Sequence, residues 1–334
     1  MRIFINGFGR IGRSVLRAFL QSPDRWPGLE VVGVNDIAAP DMCAYLFEFD
    51  SVFGPWRGSV VQDGTDLVID GRRIVLHRVQ DISTLDLRGV DLVMECTGRA
   101  DGHEMAARGL RAGAGRVLVS GPSKAADFTV VLGANEAGLN LHQHRILSNA
   151  SCTTNALAPL VALIEAEWGV ETGSMTTIHC YTGSQPTVDA PAADFARSRA
   201  AAVSMVPTTT SAQRLLDHVL PDLAGRIEGS AVRVPVVSVS AVDLAVMTRR
   251  PATVEAVNTA FHAAALVAGG VIGATDRALV STDLRARRES IVMACPQTRI
   301  TAGGMLRVFG WYDNEWGFSN RMLDVASRLK SMEK

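Results

Sequence analysis

Lysine is almost missing from this 334-residue chain: it occurs only as Lys124, Lys330 and Lys334, although arginine brings the basic total to 33 against 34 acidic side chains. Schiff-base chemistry would therefore rest on Lys124, which argues against a lysine-dependent aldolase or a pyridoxal enzyme. An excess of one charge is missing too, the formal net charge being −1. Binders of polyanions carry a basic surplus, so no nucleic acid is expected as a partner. There is no run of about 18 uncharged apolar residues, so no membrane partner is expected. The opening Met1-Arg2-Ile3-Phe4-Ile5-Asn6 reads as a strand and not as a signal peptide. The five cysteines (Cys43, Cys96, Cys152, Cys180, Cys295) are odd in number, scattered, and without CxxC or metal-ligand spacing. No metal is expected, and a reducing cytoplasm fits.

What remains is an ordinary globular composition, 47% hydrophobic and 20% charged, long enough for about two domains of ~150 residues. Over the first 150 residues, short apolar runs alternate with helical spacing, which predicts an α/β domain with a parallel sheet. Strands are expected at 2–6, 29–35, 91–95, 116–120, 129–132 and 145–148, and helices at 10–21 and 100–112. After Ser151 the texture changes. A helix is expected at 155–168, then β-rich stretches at 175–181, 231–248 and 305–312, a helix at 253–266, and a closing helix at 317–330. Strands following an alternating half predict a second, α+β domain with a mostly antiparallel sheet.

Gly7-Phe8-Gly9-Arg10-Ile11-Gly12 is a GxGxxG placed after a strand and opening a helix. Such glycines allow a tight turn and close approach of a pyrophosphate to the helix N-terminus. A lone GxGxxG is weak, but Asp36 ends the second strand, near the spacing of a ribose-binding carboxylate. An aspartate there accepts from the 2′-hydroxyl and repels a 2′-phosphate, so the first half reads as a Rossmann-type, doubly wound domain binding NAD.

Cys152 lies between a strand end and a predicted helix, within Ser151-Cys152-Thr153-Thr154-Asn155. A cysteine in a first helical turn has its pKa lowered by the dipole, but the same hydroxyls and amides serve simple capping. Position alone leaves the two open. The other four cysteines are expected in the core. His179, near the end of a predicted strand, could pair with the thiol as a general base.

Asn6-Gly7-Phe8-Gly9-Arg10-Ile11-Gly12-Arg13, Ser151-Cys152-Thr153-Thr154-Asn155 and Trp311-Tyr312-Asp313-Asn314-Glu315-Trp316-Gly317 together resemble the phosphorylating glyceraldehyde-3-phosphate dehydrogenase family over essentially the whole chain. The resemblance implies that Cys152 attacks the aldehyde of glyceraldehyde 3-phosphate to give a thiohemiacetal. Hydride passes to NAD, and inorganic phosphate cleaves the resulting thioester to 1,3-bisphosphoglycerate, with His179 as base. It implies that Thr182 and Arg233 bind the substrate phosphate, and that Ser151, Thr153, Thr210 and Ser211 surround the attacking phosphate. Cofactor contacts are implied for Gly7, Gly9, Arg10, Ile11, Gly12, Asp36, Thr97, Ser120 and Asn314, the last at the nicotinamide carboxamide. It also implies an NAD domain over 1–150, a catalytic domain over 151–315, and a helix over 316–334 packing back on the first. The segment 189–207 resembles the family's subunit-crossing loop, which implies a homotetramer.

Departures bear on the substrate. Ser211 stands where glycine is usual, a change that costs energy if φ is positive there. Val236 and Ser238 replace threonine and asparagine, Phe53 and Pro55 replace histidine and arginine, Phe318 replaces tyrosine, and Ala156 replaces a second cysteine. Three alternatives stay open at this level. One is an erythrose-4-phosphate dehydrogenase that hydrolyses its thioester, one a specialised paralogue, and one a non-catalytic NAD-binding redox sensor.

Overall fold

A computed structural model describes residues 1–333 apart from Ala193 and Ala268, so one residue of the 189–207 segment and Lys334 of the expected final helix lie outside the described residues. The chain divides into two compact units. The first comprises 1–130, 136–150 and 319 onward; the second comprises 131–135 and 151–318.

The first unit carries strands β1 (Arg2–Asn6), β2 (Glu30–Asn35), β3 (Val60–Asp63), β4 (Asp66–Ile69), β5 (Arg72–His77), β6 (Leu92–Glu95), β7 (Arg116–Val119), β8 (Phe128–Thr129) and β9 (Ile146–Ser148). They form one sheet in the order β3-β4-β5-β2-β1-β6-β7-β9-β8. From β5 to β8 every pairing is parallel, and β3 and β4 add an antiparallel edge. Ile3, Phe4 and Ile5 of β1 are all buried, as a strand covered on both faces requires.

Helix α1 (Arg10–Gln21) buries Val15, Leu16 and Phe19. Its Arg17 is buried as well, donating to the carbonyls of Phe47 and Glu48 at the end of α2 (Pro40–Glu48) and to that of Gly54. A buried guanidinium is tolerated because its donors find acceptors. The helix expected at 100–112 is two short pieces, α3 (His103–Ala106) and α4 (Arg108–Arg111). Gly109 sits so close to the sheet that a Cβ there would come within 2.9 Å of Val93. Near the C-terminus, Trp26 Nε1 donates to Asp324 Oδ1 at 2.6 Å.

The second unit opens with α5 (Cys152–Trp168), three residues earlier than apolar spacing indicates. Its strands are β10 (Val170–Cys180), β11 (Val206–Thr208), β12 (Ile227–Val234), β13 (Ser240–Thr248), β14 (Ile272–Thr275), β15 (Ile291–Ala294), β16 (Arg299–Ile300) and β17 (Leu306–Tyr312). The sheet order is β11-β12-β10-β13-β17-β15-β14, with β16 beside β17. β10–β12 and β14–β15 pair in parallel and the rest antiparallel. The β-rich stretch expected at 231–248 is therefore two strands, β12 and β13. Helices α6 (Ala212–Val219) and α7 (Val254–Leu266) complete the unit, and α8 (Trp316–Met332) closes the chain.

Candidate active site

In the first unit, a cavity of about 660 Å³ opens at the carboxyl ends of β1, β2 and β6, where the strand order reverses and nucleotides bind in open α/β sheets. Gly7, Gly9, Asp36 and Thr97 line it. Gly7 has φ +93, and a Cβ there would lie 2.7 Å from the Cys96 carbonyl carbon and the Thr97 nitrogen; at Gly12 it would lie 2.1 Å from the Gly7 carbonyl oxygen. No side chain fits at either position, which leaves bare backbone at the start of α1, the surface a pyrophosphate needs. Gly12→Ala is expected to weaken NAD binding at least tenfold by forcing the turn apart, as read by NADH fluorescence titration.

Asp36 Oδ2 accepts from the Phe8 N–H at 2.7 Å and Oδ1 from the Ala38 N–H at 2.9 Å. These bonds fix the carboxylate, and each oxygen keeps lone-pair capacity for a ribose hydroxyl. Arg10 forms an ion pair with Asp50, and Ile11 follows it in the first turn of α1. Ser120 follows β7, its N–H donating to the Glu95 carbonyl. Arg10, Ile11, Gly12 and Ser120 do not line the cavity. Asn6, Cys96 and Arg99 line it without having been singled out as contacts. Cys96 is a correction: it is half-buried at the cavity wall and not in the core. The signal was there, since Cys96-Thr97-Gly98 leaves a buried strand as Gly7 does.

In the second unit, Cys152 is the first residue of α5. Ser151 is both cap and neighbour: its Oγ accepts from the Thr154 N–H at 3.0 Å. Ser151→Ala should cost about 1 kcal/mol of stability through that lost cap, measurable by urea denaturation. Cys152 Sγ lies 3.5 Å from His179 Nε2. On the parallel strands β10 and β12, His179 stands in register with Arg233.

His179 Nδ1 is 2.7 Å from the Cys180 carbonyl oxygen and 2.8 Å from Arg233 Nη1, which itself donates to the same carbonyl at 3.1 Å. Nδ1 thus stands between an acceptor and a donor. In the tautomer that donates Nδ1–H to the carbonyl, the Nε2 lone pair faces the thiol; in the other, Nδ1 accepts from Arg233 and Nε2–H faces the sulfur. Burial, reinforced by the Arg233 charge, lowers the His179 pKa to about 4. Desolvation pushes the Cys152 thiol up, and the Arg233 guanidinium pulls the other way. The resting pair is thus a neutral thiol facing a neutral imidazole able to take its proton.

Hydroxyls anchor this turn. Thr153 Oγ1 is 2.8 Å from the Tyr312 hydroxyl, Tyr312 is 2.8 Å from Thr177 Oγ1, and Thr177 donates to the Ala241 carbonyl at 3.0 Å. Sequence reasoning gave Tyr312 no role of its own. Asn314 Oδ1 accepts from the Cys180 thiol at 3.0 Å and from Ser240 Oγ at 3.4 Å. Two donors on the oxygen fix which end of the amide accepts and leave Nδ2 as its donor group.

The remaining candidates stand further off. Thr182 Oγ1 bonds Ser184 Oγ, and Thr210 Oγ1 accepts from the Ala212 N–H. Among the described residues no hydrogen bond ties Thr182, Thr210 or Ser211 to the Cys152, His179 and Arg233 group. Ser211 has φ −78 at the start of α6, so the side chain that replaces glycine carries no backbone strain. Phe53 lies under the Arg10 guanidinium, 5.5 Å from its carbon, and Ser238 is buried.

Residues 1–103 match the family model described as glyceraldehyde 3-phosphate dehydrogenase, NAD binding domain, and residues 151–314 match that of the C-terminal domain. A glyceraldehyde-3-phosphate dehydrogenase of Xanthobacter flavus is 45% identical over 329 residues, covering 98% of this chain and 97% of that protein. Proteins of the same name from Cereibacter sphaeroides and Geobacillus stearothermophilus are 46% and 42% identical, covering 98% and 99% of this chain and 97% and 98% of theirs.

Proposed function

Since this chain belongs to the glyceraldehyde-3-phosphate dehydrogenase family, we propose that it oxidises glyceraldehyde 3-phosphate with NAD and inorganic phosphate to 1,3-bisphosphoglycerate. The observation that carries this reading is the Cys152 sulfur facing His179 Nε2 at the start of α5. NAD, held by the glycine turn and Asp36, supplies the hydride acceptor when bound.

The chain's own groups supply the rest. His179 Nε2 takes the thiol proton as Cys152 Sγ bonds to the aldehyde carbon and returns it to the carbonyl oxygen, giving a thiohemiacetal and freeing Nε2 again. Nε2 then takes the proton of the thiohemiacetal hydroxyl as the carbon is oxidised to a thioester. Holding the acyl group on sulfur conserves the oxidation energy until phosphate attacks. Arg233, with a planar fork of donors beside the dyad, suits phosphate oxygens. Ser151, Thr153, Thr182, Thr210 and Ser211 supply hydroxyls, and Asn314 an amide donor for the nicotinamide carboxamide. Ser211 takes an ordinary φ of −78, so backbone strain at this departure does not count against the three-carbon substrate.

The same reading takes 1–150 as the cofactor domain, 151–315 as the catalytic domain and 316–334 as a closing helix. It makes the protein a cytoplasmic homotetramer. All five cysteines are free thiols, as suits a reducing compartment. Phe195, Val203 and Met205 lie exposed within 189–207 and Val188 just before it, Phe195 by 96%, apolar surface of a kind that assembly covers. No helix among the described residues is long and apolar enough to cross a membrane.

The test is NADH formation with glyceraldehyde 3-phosphate and with erythrose 4-phosphate, each with and without inorganic phosphate. Fast, phosphate-dependent turnover of the three-carbon sugar is expected. Preference for the four-carbon sugar, indifferent to phosphate, would mean a hydrolytic enzyme. No turnover with either would leave a nucleotide-binding protein and overturn the catalytic reading. Light scattering tests the tetramer.

A further inference from the structure

Away from Cys152, the fold of the second unit gathers three side chains that no linear motif announces. Asp276 and Cys295 directly follow Thr275 and Ala294, which are register partners at the ends of the parallel strands β14 and β15. Both residues therefore leave the sheet side by side. His262, 14 residues before Asp276 and 33 before Cys295, reaches them from α7. His262 Nε2 lies 3.0 Å from Asp276 Oδ1 and 3.7 Å from Cys295 Sγ, and the three ligand atoms fall within 4.8 Å of one another.

A histidine–aspartate pair this exposed contributes little to stability and has no need of a thiol at its imidazole nitrogen. A tetrahedral cation does. Zinc bonds of about 2.0–2.2 Å to nitrogen and oxygen and 2.3 Å to sulfur imply ligand edges of roughly 3.3 Å for N···O and 3.6 Å for N···S. Both separations lie close to those edges. The donor set also selects the ion: thiolate and imidazole favour zinc and its neighbours over magnesium or calcium, which take oxygen cages. Cys295 is buried, His262 half-buried and Asp276 exposed, so a cation has a solvent-side approach and a sulfur at its base.

We infer that His262, Asp276 and Cys295 form a three-residue site for a borderline-soft divalent cation, zinc foremost, with water completing the tetrahedron. Binding breaks the Cys295 S–H bond, sends the proton to solvent and forms the sulfur–metal bond, with no change of oxidation state. The ion clips α7 to the ends of β14 and β15 and stabilises the folded chain by mass action. This proposal departs from the expectation of no metal, which rests on linear spacing.

The test uses full-length protein carrying Cys152→Ser, which removes the active-site thiol as a competing soft ligand. Titration with cobalt(II) is expected to saturate at one ion per chain, with a thiolate-to-cobalt charge-transfer band, and zinc is expected to raise the melting temperature. Adding Cys295→Ser should abolish the band and adding His262→Gln should shift it, each weakening cobalt binding at least tenfold. Absence of cobalt binding in the millimolar range would overturn the site. So would a band that survives Cys295→Ser, or undiminished affinity in His262→Gln, whose substitution lies on a half-exposed helix face and leaves the fold intact.

Discussion

Cys152→Ser is expected to lower NADH formation by about 10⁴-fold or more while leaving NAD affinity unchanged. A serine hydroxyl keeps the shape and can occupy the first turn of α5, but it gives up its proton far less readily than a thiol and attacks an aldehyde less well. The NAD cavity of the first unit is lined by Asn6, Gly7, Asp36 and Thr97 among others, and Cys152 is not one of its wall residues. Steady-state rates and an NADH binding isotherm on the same preparation separate the two effects. Turnover within tenfold of the parent would remove Cys152 from the chemistry, and a parallel loss of NAD affinity would point to a structural lesion.

His179→Asn is expected to cost about 10²–10⁴-fold in kcat/KM. The asparagine amide can still reach the Cys180 carbonyl, which lies 2.7 Å from His179 Nδ1, but nothing replaces the imidazole Nε2 facing the sulfur. The acid limb of the rate profile, a property of the thiol and imidazole together, should move to higher pH in the variant, because the thiolate must then form unaided. Stability should respond in the opposite sense. His179 ordinarily titrates near 6.5 and is held to about 4 in the folded protein, so the unfolded chain binds more protons between those values. Stability is therefore lost as pH falls through that window, by at most roughly 3 kcal/mol. His179→Asn should flatten that part of the curve in urea titrations run from pH 7 to pH 4, and an unchanged slope would show that another group carries it.

The two units were legible to different depths. Residues 2–6 and 10–21 read correctly because an uninterrupted apolar run and a one-faced helix are local patterns, and packing agrees with them. The β3-β4-β5 edge went unread although Asp63-Gly64 and Asp70-Gly71 sit between alternating apolar residues. Asp70 and Gly71 take φ +50 and +78, the consecutive positive values of a tight hairpin turn. At α5, apolar spacing starts at Leu157, but the helix starts at Cys152, where a serine cap and hydroxyls set the boundary. Cys152 and His179 could be nominated from sequence, yet their 3.5 Å approach depends on β10 folding back beside α5. Tyr312, Ser240 and Cys180 stayed invisible as site residues because their parts are played through hydrogen bonds between strands far apart in the chain. The His262, Asp276 and Cys295 cluster is the extreme case, since it takes the register of β14 with β15 and the packing of α7 beside them to assemble it.

His179 faces Arg233 because β10 and β12 pair in one register, and side chains alternate between the faces of a strand. A slip of one residue would set Ile178 against Arg233 and turn the imidazole to the opposite face. A misregistered molecule would not be a slower catalyst but an inert one. Active-site titration by a thiol reagent that requires the intact dyad should therefore count correctly folded chains in a preparation, with specific activity varying between batches through that count while the turnover number per titrated site stays constant.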